Sequence, residues 1–272
     1  MIDVWDTGTF DAEIKGRLDA ERDLILAYHR RDAEIFRTYD LARGPDRPDF
    51  RPSNQHAADF ISFVESLISY FEARTIRGFH YTRLADHEVE AIRRDGVHPS
   101  TPMSLRKRLE ALSENGLLPA TDIEAIMASS PFSDPFGRRE KMFWMTCAPY
   151  PPEYPGVQPL LRHWGGEVAF FRIEGTELGD RLACIGAPRI LEVAAPLGVS
   201  QHSLGAVEAV VATYARGNGA PAESKLFDFY VEEALPAEAI LKIHTVGNAG
   251  CIPFTRMARE LHARLDVEAG LA

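Results

Sequence analysis

Cysteine is scarce in this chain. The 272 residues contain three, Cys147, Cys184 and Cys251, far apart and without a CxxC pair. That spacing argues against a disulfide framework and against a cysteine zinc site. No apolar run approaches the ~20 residues of a membrane helix. The N-terminus, Met1-Ile2-Asp3-Val4-Trp5-Asp6, lacks the basic and then apolar order of a secretory signal, so a cytoplasmic chain with no membrane partner is expected. Positive charge is in deficit: 30 Lys and Arg stand against 40 Asp and Glu, a net charge of -10. A chain of that balance is not, as a whole, an electrostatic nucleic-acid binder. Several catalytic signatures are also missing: HExxH, the phosphate loops GxxxxGK[ST] and GxGxxG, and the GxSxG elbow. The nine histidines show no metal-ligand spacing with supporting carboxylates.

What is present suffices for a sizeable core, with 45% apolar residues. Positive charge gathers locally at Arg93-Arg94, Arg106-Lys107-Arg108, and Arg138-Arg139 with Lys141. These clusters are either solvated helix faces or a basic rim suited to NAD or a nucleic-acid substrate.

The pattern predicts a helical hairpin over residues 1–75 and an α+β domain over 76–272. Thr9 is placed to cap a long helix from Phe10 to Ala42, which Gly44-Pro45-Asp46-Arg47-Pro48 would end. A second helix is expected from Ser53 or Asn54, with Phe60, Ile61, Val64, Leu67, Ile68 and Phe71 as its apolar stripe. From Ile76 the period changes. Arg77 to Leu84 reads as a strand, with His80 and Tyr81 on opposite faces. A helix capped by Asp86 and stopped by Gly96 follows. Further helices are expected at 104–115 and 122–129, then a loop at 130–137 of the kind that often carries function. Strands are expected at 141–147, 167–173, 189–195, 225–231 and through Ile243 and Val246, and helices at 203–216 and 254–265. Helices first and then a mostly antiparallel sheet make the class α+β.

Four short motifs follow one another: His80-Tyr81-Thr82 on the first strand, the "DGV" turn at Asp95-Gly96-Val97, Trp164-Gly165-Gly166, and Asp228 within Phe227-Asp228-Phe229-Tyr230-Val231, eight residues before Pro236. Over roughly Ile76 to Gly247 this order resembles the ADP-ribosyltransferase-like superfamily, in particular its toxin and phage-defence branches. The resemblance implies a split antiparallel sheet with NAD in its cleft as substrate. It implies His80 as the ribose contact, Thr82 as a neighbouring polar contact, Tyr81 or Trp164 stacked on nicotinamide, and Asp228 as the carboxylate. That carboxylate would offset the oxocarbenium charge that develops as nicotinamide leaves, and an aromatic face suits the pyridinium cation.

Asp228 departs from the usual Glu by one methylene, which matters where position sets rate. Glu223, Glu232 or Glu233 could supply the longer side chain. The expected activity is transfer of ADP-ribose to a macromolecular acceptor, protein or nucleic acid, with the N-terminal helices as the surface for an inhibitory partner protein. The alternatives are an NAD glycohydrolase and an inactive module of the same fold that binds a nucleotide or a protein. Structural roles compete at each position: His80 as a satisfied strand histidine, Trp164 as a packed aromatic, Asp228 on the solvent face of an edge strand.

Overall fold

The computed structural model of the chain describes residues 1–41, 49–133 and 140–268. In order the elements are α1 (Ala12–Ala20), α2 (Arg22–Ile35), α3 (Ala57–Glu72), β1 (Thr75–Leu84), α4 (Asp86–Asp95), α5 (Pro102–Glu114), α6 (Ile123–Ser129) and β2 (Phe143–Thr146). There follow α7 (Gln158–Arg162), α8 (Glu167–Phe170), α9 (Glu177–Cys184), β3 (Ala187–Pro196), α10 (Ser203–Gly217), β4 (Asp228–Val231), β5 (Ile240–Thr245) and α11 (Ile252–Glu268). None of the described helices is long and apolar enough to cross a membrane. The chain divides into two compact units: Met1–Arg77, Pro196–Phe227 and the chain from His262, and then Gly78–Ala195 with Asp228–Leu261.

The first unit is helical. The long first helix expected from Phe10 is two helices, broken at Glu21, whose φ of -107° and ψ of 18° leave the helical region. Asp11, not Thr9, caps it: its carboxylate accepts from the Ile14 N–H at 2.8 Å. Thr9 is spent locally, its hydroxyl donating to the Asp6 carbonyl at 2.8 Å. A π turn over Phe36–Asp40 closes α2, and the expected break at Gly44 to Pro48 lies outside the described residues. The second helix begins at Ala57, a turn later than expected, because Asn54 is used in the approach. Its side chain accepts from the His56 N–H and donates to the Tyr28 carbonyl. Tyr28 and Phe60 stack at 3.7 Å between ring centres, which fixes α2 against α3. A later helix joins them: α10 packs on α2 and α3, burying its run from Ala206 to Ala215 apart from Glu208. The hairpin is therefore part of a larger helical unit.

The second unit holds a single mixed α+β arrangement, a five-stranded sheet in the order β4-β2-β1-β3-β5. β2 is antiparallel to β1 and to β4, and β3 to β5. Register sets the faces. Phe79 pairs with Thr146, and Thr146 with Asp228, so these three side chains leave the sheet on one face. Gly78, one residue earlier, lies on the other. A Cβ there would meet the Phe229 ring at 2.8 Å and the Met145 sulfur at 2.9 Å.

Helices α5 and α6, with Trp164, Phe170, Leu182 and Ile185, form a cluster of fully or nearly buried side chains. At about 1.5–3 kcal/mol for each large apolar side chain taken from water, such a cluster is a rigid support. The strand expected over 167–173 is helix α8 and a turn. Gly166 takes φ +65°, its carbonyl accepts from the Ala169 and Phe170 N–H groups, and Phe170 stacks on His163. A left-handed glycine starts a turn here, and the apolar residues fit helical spacing as well as alternation. The last two strands fall close to their expected places, although β4 is four residues, Asp228–Val231, rather than seven.

Candidate functional site

A cleft of about 710 Å³ opens in the second unit. β1 and β2 supply its floor, α4 and α5 one wall, and the Gly165-Gly166 turn another. From α5 the lining residues are Ser104, Lys107, Arg108 and Ala111, spaced i, i+3, i+4, i+7, which is one helix face. α5 is secured at its start by a reciprocal cap. Ser104 N–H donates to the Thr101 hydroxyl at 3.0 Å, and Thr101 N–H to the Ser104 hydroxyl at 2.7 Å.

His80 lines the cleft from β1, its ring 4.4 Å from that of Phe143. Its Nδ1 lies 2.8 Å from the Trp144 carbonyl. A carbonyl only accepts, so Nδ1 carries the proton and Nε2 presents a lone pair. Burial lowers the ring's pKa from 6.5 to about 4; the Trp144 bond pulls upward and Arg108 pushes further down. The ring is thus a neutral acceptor at neutral pH. Thr82, two residues on and buried, borders the same cleft.

Tyr81 is on the opposite face and 3% exposed. Its hydroxyl donates to the Tyr150 carbonyl at 3.0 Å and accepts from the Tyr150 N–H at 2.6 Å. It is a latch between β1 and the loop after β2, and burial raises its pKa. Trp164 is 0% exposed. Its indole N–H donates to Glu88 at 2.7 Å, and the Arg108 guanidinium lies over its ring at 4.6 Å. Neither ring presents an open face for stacking. Trp144 is the most exposed tryptophan, at 37%, in tilted contact with Tyr230 on the face of the sheet opposite His80.

Asp228 borders the cleft, yet register sends its side chain off the sheet on the face opposite His80. The β4 residues on the His80 face are Phe229 and Val231, both fully buried. Solvent reaches the Asp228 carboxyl, but partial desolvation raises its pKa above the ordinary value. Glu223 belongs to the first unit, where it is exposed and paired with Lys225 at 2.9 Å. Glu232 and Glu233 are exposed after β4. The structure therefore brings His80 and Thr82 together on one face of β1, with Asp228 bordering the same cleft from the other face of the sheet.

The polar group that sequence reasoning missed is Glu88, and with it the pairing that singles out Arg108 from the Arg106-Lys107-Arg108 cluster. Glu88, 8% exposed, accepts from the Trp164 indole, from the Ala85 N–H at 2.9 Å, and from Arg108 Nε at 2.8 Å. It is the N-terminal partner of α4 in place of Asp86, reaching back from the third helical position. Burial would raise its pKa, but Arg108, Trp164 and the Ala85 N–H outweigh that and hold it below the usual range. The spacing of Ser104, Lys107, Arg108 and Ala111 was the available signal. Among the described residues no group of three or more His, Cys, Asp or Glu is placed to hold a metal ion. Compared with family models, curated proteins and solved structures, the chain finds no match.

Proposed function

We propose that the second unit binds a nucleotide, NAD foremost, with a ribose hydroxyl donating to His80 Nε2. The observation that carries this reading is the tautomer of His80, set by the Trp144 carbonyl. A histidine whose Nδ1–H is engaged and whose protonation is suppressed is an acceptor for a hydroxyl, not a cation for an anion. Phe143, Met145, Ile92 and Val97 around it give an apolar bed for a planar base, and polar groups at one side fix orientation, the usual division in a ligand cleft. This is the nucleotide-binding member of the alternatives that the resemblance to ADP-ribosyltransferases implies.

Cleavage of NAD, with transfer of ADP-ribose to a macromolecule or to water, is the second reading. It needs a carboxylate near the anomeric carbon on the His80 side. Glu167 favours it: the residue is half-buried, lines the cleft, and follows two left-handed glycines at φ +80° and +65°. The C–N bond to nicotinamide would break with its electron pair leaving on nicotinamide, and the acceptor oxygen or nitrogen would bond to the ribose carbon and lose its proton.

The test is calorimetric titration of NAD into the full chain, beside nicotinamide release, for wild type, His80→Ala, Glu167→Gln and Asp228→Asn. NAD binding is expected in wild type and weakened on the order of 10-fold in His80→Ala, the loss of one hydrogen bond in a desolvated site. Release abolished in Glu167→Gln alone supports the second reading. Release abolished in Asp228→Asn alone makes Asp228 the carboxylate. Absence of NAD binding by folded protein overturns both.

A further inference from the structure

We propose that Arg108 is a prebuilt subsite for a phosphate or pyrophosphate group in the cleft, held in place by Glu88 and Trp164. This deepens the nucleotide reading by naming what the basic wall recognises, and it can stand or fall separately from His80.

Three observations carry it. First, Arg108 is fixed. Its Nε donates to Glu88 at 2.8 Å, Glu88 is itself held by two other donors, and the guanidinium plane lies over the Trp164 ring. Little side-chain entropy remains to be lost on binding. Second, the Glu88 bond uses one of five N–H donors, and among the described residues the Nη groups make no hydrogen bond. A guanidinium with a free fork is shaped for two oxygens of one anion. A purely structural arginine beside a buried carboxylate commonly spends its fork on that carboxylate. Here Glu88 gives one oxygen to Arg108 Nε and its other to the Trp164 indole and the Ala85 N–H.

Third, the surroundings suit a polyvalent anion. Lys107 lines the same cleft, exposed and without an ion pair among the described residues, and Ser100 and Ser104 lie along the same wall. Arg108 and His80 line the same cleft, so cation and neutral acceptor face one space. A phosphate next to a hydroxyl-bearing sugar matches that pair. Phosphate is favoured over carboxylate because the open Arg108 fork and the Lys107 ammonium offer more donors than two carboxylate oxygens can use; the Ser104 hydroxyl is not among them, since it donates to the Thr101 carbonyl at 2.9 Å.

The experiment titrates inorganic pyrophosphate, ADP-ribose, adenosine and succinate into the full chain. Proteins compared are wild type, Arg108→Lys and Glu88→Gln, with folding followed by circular dichroism. Lysine keeps the charge and loses the fork, and glutamine keeps the size and loses the charge that orients Arg108. Pyrophosphate and ADP-ribose are expected to bind wild type and to weaken on the order of 10-fold in both variants, while adenosine changes by less than about 2-fold. A loss confined to phosphorylated ligands is not what general loosening of the fold would give. If adenosine fails to bind but pyrophosphate still depends on Arg108, the nucleotide reading falls and the subsite stands. Equal pyrophosphate affinity in wild type and Arg108→Lys, no pyrophosphate binding at all, or succinate bound as tightly as pyrophosphate, each overturns the proposal.

Discussion

His80 shows how one side-chain bond sets the chemistry of a position. Its pKa of about 4, against 6.5 in an unfolded chain, means that the folded state binds fewer protons than the unfolded one between those values. Stability is then fully present above about pH 6.5, falls as pH drops towards 4, and levels off below. His29 in the first unit, also lowered to about 4 by burial and then by Lys225 and Arg216, adds to the same slope. We expect the urea midpoint to decline across that window and the decline to be shallower in His80→Gln. An NMR titration should find the His80 ring neutral at pH 6; a ring titrating near 6.5 would refute the assignment. Alternation in the sequence was enough to place His80 and Tyr81 on opposite faces. The tautomer was not legible, because the Trp144 carbonyl that sets it is 64 residues away.

Among the elements, α4 and its stop show both what local signals convey and where they end. Gly96 was readable as the end of the helix, and it takes φ +80°. What the local pattern omits is the neighbour: a Cβ on Gly96 would lie 2.0 Å from the Leu235 carbonyl oxygen, where Val97 and Leu235 pair. Gly96→Ala is therefore expected to cost on the order of 3 kcal/mol, strain and clash together. Gly116→Ala is the comparison, since that glycine has φ +70° but open space within 4 Å; it should cost only about 1 kcal/mol. Denaturant midpoints decide, and equal losses would show that the Leu235 contact is unimportant. The misread segment at 167–173 has a similar origin. Val168, Phe170 and Phe171 satisfy two periods at once, and the left-handed Gly166 and the His163 ring settle the matter. Cap rules are local and point to Asp86, whereas Glu88 accepts from the Ala85 N–H while also serving Trp164 and Arg108.

Across the whole molecule, the three thiols give an independent check on the packing. None is in a disulfide, with Cys147 and Cys251 buried and Cys184 exposed. An Ellman titration of native protein should find one fast-reacting thiol, assigned to Cys184 by its loss in Cys184→Ser, and three after denaturation. Two or more fast thiols in the native protein would mean that the environment of Cys147 or Cys251 is open. The two units show how far order along the chain can mislead about domains, since helix α10 follows β3 in sequence yet belongs with the N-terminal helices.

By itself the sequence determined the α+β class, most element positions, and the opposite faces of His80 and Tyr81, all from period-2 and period-3.6 patterning and glycine stops, which act within a few residues. Tertiary structure decided the rest. Strand register put Asp228 and His80 on different faces, packing enclosed Trp164 and exposed Trp144, and the meeting of α4 with α5 made Glu88 and Arg108 a fixed pair. Those outcomes depend on which distant segments touch, and residue spacing along one strand or helix carries no record of that.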